Sequence, residues 1–185
     1  MSKQNAKKRP SIFSTRALCS VAILTALTVV IAYLCKFLTI TQTIRITFEN
    51  LPIILAGFAY GPVAGAMTGV AADFISTLIS QYGLGQMNPI LTAAAGLIGL
   101  IAGVAALLTR EKKLPVRLAF AVFPAHIIGN MILKTVGLYV WYRMPFFATF
   151  GIRVPLYAAI SALEYVVLLL LLKSGGVKRA MGLTF

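Results

Sequence analysis

The chain has 185 residues, 59% of them hydrophobic, with a mean hydropathy of +0.92 and seventeen Lys and Arg against four Asp and Glu. Soluble domains hold about 45–50% apolar residues, so a soluble globule is excluded. The net charge of +13 sits in short segments between apolar runs, and this sorting excludes a nucleic-acid partner.

Five regions are free or nearly free of Asp, Glu, Lys and Arg: 17–35, 50–72, 74–109, 118–133 and 154–172. Crossing a bilayer takes about 20 apolar residues in a helix. The runs lack the alternating polarity of barrel strands. The expected fold class is therefore an all-α integral membrane protein, a six-transmembrane-helix bundle with a ligand pocket facing outward. It divides into a basic N-terminal segment at 1–13, a transmembrane domain at 14–173 and a tail at 174–185. The start "MSKQNAKKRP" has the charge of a leader, but the apolar run after it is too long and lacks a small-residue cleavage site.

In chain order, helix 1 is expected at about 14–38, helix 2 at 50–60, helix 3 at 62–80, helix 4 at 89–109, helix 5 at 116–141 and helix 6 at 152–173. Cys19 and Cys35 both fall on helix 1, too far apart to bridge, and read as packing residues. Helix 2 is short: eleven residues rise only about 16 Å. Either it begins earlier, near Ile44, or its neighbours shield it, and the 39–50 loop is then ordered. Gly61-Pro62 predicts a sharp turn, since proline readily opens a helix. The run "GFAYGPVAGAMTGVAAD" (57–73) carries small residues at every fourth position, a pattern that lets backbones approach closely.

With the N-terminus in the cytoplasm, Lys3, Lys7, Lys8, Arg9, Arg16, Arg110, Lys112, Lys113, Arg117, Lys173, Lys178 and Arg179 fall on the inner side. Twelve of the seventeen basic residues then obey the positive-inside rule, and an even number of spans places both termini in the cytoplasm of a multi-pass cell-membrane protein. Lys36, Arg45, Lys134, Arg143 and Arg153 remain toward the outside, together with Glu49, Asp73 and Glu164. Lys36 and Arg143 either snorkel at the interface or join a site. Charges within spans are costly and usually face the bundle interior, where they mark function.

These deeper groups form stripes. His126, Asn130 and Lys134 share one face of helix 5, and Arg153, Tyr157, Ser161 and Glu164 share one face of helix 6. Asn88, Thr92, Gly96, Gly99 and Gly103 repeat the pattern on helix 4, and Gly65, Gly69, Asp73, Ser76 and Ser80 on helix 3. The stripes converge on a polar pocket whose surplus Lys and Arg suit an anionic ligand, unless the groups pair with one another, as Asp73 would with Lys134.

Motifs for chemistry are missing. The chain has no G-x-S-x-G, no H-E-x-x-H and no phosphate-binding G-x-x-x-x-G-K-[ST], and its single histidine lacks metal-site companions. Neither an enzyme nor a resident cofactor is expected. The pattern is that of a binder of something polar that needs outside help to move it.

Three stretches carry a family resemblance: "ENLPIILAGFAYGPVAGAMTGVAAD" (49–73), "MNPILTAAAGLIGLIAG" (87–103), and the A-x-x-x-A of Ala22 and Ala26 on helix 1. They resemble the substrate-binding S-components of energy-coupling factor (ECF) transporters, the binding subunits of ABC-type vitamin importers. The resemblance implies six helices with both ends cytoplasmic, and a substrate-binding role for 14–173. It also implies high-affinity capture of one vitamin near the outer surface, and delivery together with a membrane-embedded coupling subunit and two cytoplasmic ATPases. Ala22 and Ala26 would dock on the coupling subunit. The stretch "GNMILKTVGLYVWYRMPFFATFGIRVP" (129–155) is most similar to folate-type members.

Folate joins a flat pterin to an anionic tail. By chemistry, Asp73, Glu164 or Glu49 would accept from the pterin, while Asn88 and Asn130 complete the polar lining. Tyr82, Tyr139, Trp141, Phe146 and Phe147 would stack on the rings, and Arg45, Lys134, Arg143 or Arg153 would hold the carboxylates. The alternatives are an S-component for another anionic vitamin such as pantothenate, or a stand-alone ion-coupled transporter.

Overall fold

A computed structural model describes residues 15–35, 39–41, 44–45, 48–79, 87–143 and 145–174; of Arg16 and of residues 39–45 it describes the backbone alone. The helices are α1 (Thr15–Leu34), α2 (Asn50–Tyr60), α3 (Pro62–Ile79), α4 (Pro89–Leu108), α5 (Leu114–Ala125), α6 (Lys134–Tyr142) and α7 (Phe146–Lys173). A π-helical segment, His126–Leu133, joins α5 to α6 without a break. Five helical runs are long and apolar enough to cross a membrane: α1, α3, α4, the continuous run from α5 to α6, and α7.

The sixth expected helix is α2, which begins at Asn50 and not near Ile44. It is too short to span alone, and it survives because ten of its eleven residues are buried among α1, α3, α4, α5 and α7. Phe58 and Ile54 in its middle are wholly enclosed. A short helix at membrane depth is tolerated when protein surrounds it.

The sequence-based bounds need three corrections. Helix 1 stops at Leu34, four residues before the expected end at 38. Residues 36–38 lie outside the described residues, and the expected ordered loop carries a two-stranded antiparallel hairpin, β1 (Thr39–Thr41) and β2 (Ile44–Arg45), in keeping with the strand preference of Thr and Ile. Among the described residues the secondary structure is helical apart from this hairpin. Helix 6 begins at Phe146, six residues before the expected 152, because the helix runs straight through Gly151. Of the two cysteines, Cys35 is buried as expected, whereas Cys19 lies on an exposed face of α1 and packs nothing.

The glycine pattern explains how α2, α3 and α4 come together. Gly61 has φ 104°, a conformation that glycine adopts without steric cost, and it turns the chain directly into Pro62 at the start of α3. Beyond the turn, α3 lies backbone to backbone on α4. A Cβ at Gly99 would collide with the carbonyl of Gly65, one at Gly65 with the carbonyl of Gly99, and one at Gly69 with the carbonyl of Ala95. At the far end Arg117, buried despite its charge, donates from Nε to the Ala106 carbonyl at 3.1 Å and lies 4.7 Å from the Phe58 ring centre. This one side chain ties α5 to both α4 and α2.

Replacing Gly99 with Ala forces these backbones apart and is expected to cost about 1–3 kcal/mol, the usual range for overpacking. Gly151→Ala is the control: nothing lies within 4 Å of a Cβ there, so stability should rise by about 0.5–1 kcal/mol from helix propensity. Thermal unfolding of the purified variants in detergent checks both. A Gly99→Ala protein melting with the wild type would show that α3 and α4 are not seated this tightly.

Candidate functional site

Polar side chains that the sequence scatters over more than a hundred residues meet inside the bundle. Glu49 enters from the residue before α2, Asp73 from α3 and Thr92 from α4. His126 and Asn130 come from the π-helical segment, Lys134 from α6, and Arg153, Tyr157, Ser161 and Glu164 from α7. All but Glu49 and Asp73 are buried. The stripes on helices 5 and 6 therefore turn inward, as their spacing predicts.

Within this cluster the pairings are specific. Lys134 Nζ donates to Glu49 Oε1 at 3.1 Å, with the lysine almost fully enclosed and the glutamate about a quarter exposed, 26%. The alternative pairing of Asp73 with Lys134 is not made directly: Thr92 Oγ1 donates to Asp73 Oδ2 at 2.6 Å. Asp73 and Glu164 nonetheless lie within electrostatic range of the Lys134 ammonium. Arg153 Nη2 donates to the Tyr157 hydroxyl at 3.2 Å, and its guanidinium carbon lies 5.1 Å from the centre of the same ring. His126 Nε2 lies 2.7 Å from Glu164 Oε2, and Asn130 Nδ2 lies 3.0 Å from His126 Nδ1.

After these bonds are made, several enclosed polar atoms still have no partner among the described residues: Asn130 Oδ1, Thr135 Oγ1, Arg153 Nη1, Glu164 Oε1, and both polar atoms of the Asn50 side chain. An unsatisfied buried polar atom costs about 1–3 kcal/mol. Folded chains leave few such groups, and here four of the six sit between residues 130 and 164.

The remaining candidate residues fall elsewhere. Asn88 is buried but committed to the fold: its Oδ1 accepts from the Ile90 N–H at 3.0 Å, capping α4, and its Nδ2 donates to the Gly137 carbonyl at 3.1 Å. Trp141, Tyr139 and Phe147 are exposed. Tyr139 and Phe146 meet edge to face at 6.1 Å near the α6–α7 junction, away from the buried cluster. Arg143 is exposed at the left-handed cap of α6, with φ 55°. Tyr82 and Lys36 lie outside the described residues, and Arg45 is described only as part of β2.

Two consequences follow for the chemistry. Among the described residues the cluster holds two permanent cations, Lys134 and Arg153, against three carboxylates, Glu49, Asp73 and Glu164. Of the expected surplus cations, Arg143 is exposed and Lys134 is matched by Glu49, while the side chains of Lys36 and Arg45 lie outside the described residues. The ring-facing group that sequence reasoning left out is Tyr157. It shared a stripe with Arg153 and Glu164, and that stripe was the available signal. Thr135 and Asn50, single polar residues in apolar surroundings, carried no pattern. No group of three or more His, Cys, Asp or Glu stands together as a metal site among the described residues.

Comparison with known proteins places this architecture. A family model described as "ECF transporter, substrate-specific component" matches residues 16–177. Among solved structures, a FolT protein bound with folic acid superposes with a TM-score of 0.70 at 22% identity, over 85% of this chain and 93% of its own. The S-component for biotin from an ECF-type ABC transporter superposes with a TM-score of 0.64 at 18% identity, over 89% of this chain and 94% of its own. No curated protein matches the chain. Such components bind vitamins, work with a module of a coupling subunit and ATPases, and are not enzymes. With its membrane-spanning helices and its family match over most of its length, the chain belongs to the substrate-specific components of ECF transporters.

Proposed function

We propose that the chain is a folate-type S-component, which captures folate with high affinity in a pocket open to the outside and passes it inward with a coupling subunit and two ATPases. In this reading α1, α2, α3, α4, the α5–α6 run and α7 are six spans, with both termini cytoplasmic as the distribution of Lys and Arg requires.

The observation that carries the proposal is the set of enclosed polar atoms without partners, Asn130 Oδ1, Thr135 Oγ1, Arg153 Nη1 and Glu164 Oε1. Folate supplies what each lacks. Its pterin offers ring N–H and amino donors to Asn130 Oδ1, Glu164 Oε1 and the Thr135 hydroxyl oxygen, and the pterin ring acceptors or the carboxylates of the tail meet the Arg153 guanidinium. The acid-rich balance of the described cluster suits the donor-rich pterin, and Tyr157 offers it a ring face. The anionic tail then falls to the cationic groups, Lys134 and Arg153 inside, with Arg45 in the hairpin before α2. The folate-bound fold neighbour supports this choice. Biotin is the second reading, favoured by the other neighbour: its ureido N–H groups suit the same acceptors, and its single carboxylate suits one cation.

Titration of the purified protein with folic acid, biotin and pantothenate tests the reading. Folic acid should bind, with the other two weaker by at least about tenfold. Arg153→Met and Glu164→Gln should each weaken folic acid about tenfold or more, since each removes or alters a buried charged partner. Tight biotin binding with no folic acid binding would replace folate with biotin.

Partner docking has its own test. Ala22 and Ala26 lie exposed on α1, where close approach by another helix is possible. Enlarging both to Leu should leave folic acid affinity unchanged and abolish ATP-dependent uptake in vesicles carrying the coupling module. Uptake by the double variant at the wild-type rate would remove these two residues from the docking surface.

A further inference from the structure

His126 is the most enclosed titratable side chain on the α5–α6 run, 1% exposed. The binding site as proposed above does not use it for contact. Its neighbours show what it does. Asn130 reaches Nδ1 with its amide nitrogen, Nδ2, at 3.0 Å. An amide nitrogen can only donate, so Nδ1 accepts. The ring proton is then on Nε2, which donates to Glu164 Oε2 at 2.7 Å. The imidazole thus occupies the amide nitrogen of Asn130 on one side and one carboxylate oxygen of Glu164 on the other. Fixing a ring tautomer through the bond at its other nitrogen is how a histidine orients its partners.

The consequence lies in what is left over. Asn130 can turn only its carbonyl oxygen elsewhere, and Glu164 only Oε1, and these are two of the enclosed atoms without a partner. Both are acceptors. An Asn130 amide free to flip would offer a donor as readily as an acceptor; bonded to Nδ1 it cannot. The Tyr157 ring is a further neighbour of the histidine, tilted against it at 6.5 Å, centre to centre.

We infer that His126 is a positioning residue that makes the buried end of the site accept hydrogen bonds only, so that the chain selects a ligand whose heterocycle presents N–H donors there. This rests on the cluster being the vitamin site, and it deepens that reading by assigning the selectivity to a side chain that touches no ligand. Both a pterin and a ureido ring belong to the class selected. A heterocycle whose edge at this position bears only acceptors or methyl groups does not, because it leaves two buried oxygens unpaired.

The test compares folic acid with its 2-desamino-2-methyl analogue, which loses the exocyclic donor. The quantity read is the ratio of the two dissociation constants. Wild-type protein should prefer folic acid by about tenfold or more, the scale at which a polar site rejects an analogue lacking the matching group. His126→Leu should bring the ratio toward one. His126→Gln, whose amide can both accept from Asn130 and donate to Glu164, should restore it. If His126→Leu weakens both compounds equally and leaves the ratio unchanged, His126 is merely structural and the inference is overturned. The inference is overturned equally if the wild type binds the two compounds alike.

Should His126→Leu fail to fold, His126→Met decides in its place, being apolar and of similar size: a fallen ratio supports the assignment and an unchanged one overturns it. Wild-type protein that binds biotin and not folic acid ends the folate reading alone. The same ratio is then taken between biotin and a biotin methylated on its ureido nitrogens. Binding of neither vitamin ends both readings.

Discussion

A carboxylate inside a membrane-spanning bundle has no water to solvate it, so each of its oxygens must find a donor in the protein or in whatever the protein holds. Glu164 is wholly enclosed, with one oxygen bonded to His126 and the other to nothing. The surrounding structure answers to this constraint. Two helical runs direct their polar residues at one another, α7 through Arg153, Tyr157, Ser161 and Glu164, and the π-helical segment with α6 through His126, Asn130 and Lys134. Buried polar groups are retained at such cost where they serve recognition. A family of transport proteins that bind polar nutrients in the membrane is where such a cost is expected.

The bundle that holds these groups follows from simpler rules. Lipid offers little hydrophobic force between helices, so close packing must hold them together. Gly65 against Gly99 and Gly69 against Ala95 bring α3 and α4 into backbone contact. That contact also places Asp73, one turn beyond Gly69, within 2.6 Å of Thr92. The small residues and the acid are therefore one device: closeness created by the glycines allows a short hydrogen bond to shield the carboxylate. Asn88 plays a similar part from the other side, capping α4 with one atom and holding α6 by the Gly137 carbonyl with the other.

Much of this was legible in the sequence because lipid imposes a strict code. Uninterrupted apolar runs set the spans, and α2, the Gly61-Pro62 turn and the inward stripes of α7 and the 126–134 face all emerge where spacing places them. What spacing cannot supply is pairing. Lys134 has three carboxylates near it, and only coordinates reveal that Glu49, not Asp73, receives its bond. Periodicity also misjudges irregular elements. The hairpin at Thr39–Arg45 falls in a stretch that spacing gives only as an ordered loop, and Gly151 lies inside α7 because neighbouring turns carry the helix through it. A count of charges by leaflet likewise does not distinguish an exposed arginine, Arg143, from a buried one, Arg153.

The same geometry separates two surfaces that a carrier of this kind must connect. The buried polar cluster draws nothing from α1, whose outward face is apolar and small, with Ala22, Ile23, Ala26 and Leu27 exposed. On its inner side α1 packs against α2 and α3. The exposed face of α1 and the buried polar cluster therefore share no side chain, and what lies between them is α2, which starts next to the Glu49 bonded to Lys134, and the seam of α3 on α4. There the helices meet backbone on backbone, with no rotamers to absorb a displacement, so α3 and α4 shift as one body. Asp73 and Thr92, bonded across that seam, stand at the end of it nearest the ligand groups. The glycines that make the fold compact also make it stiff along one of the two paths, through α2 or through the α3–α4 seam, that join the polar cluster to the lipid-facing surface of α1.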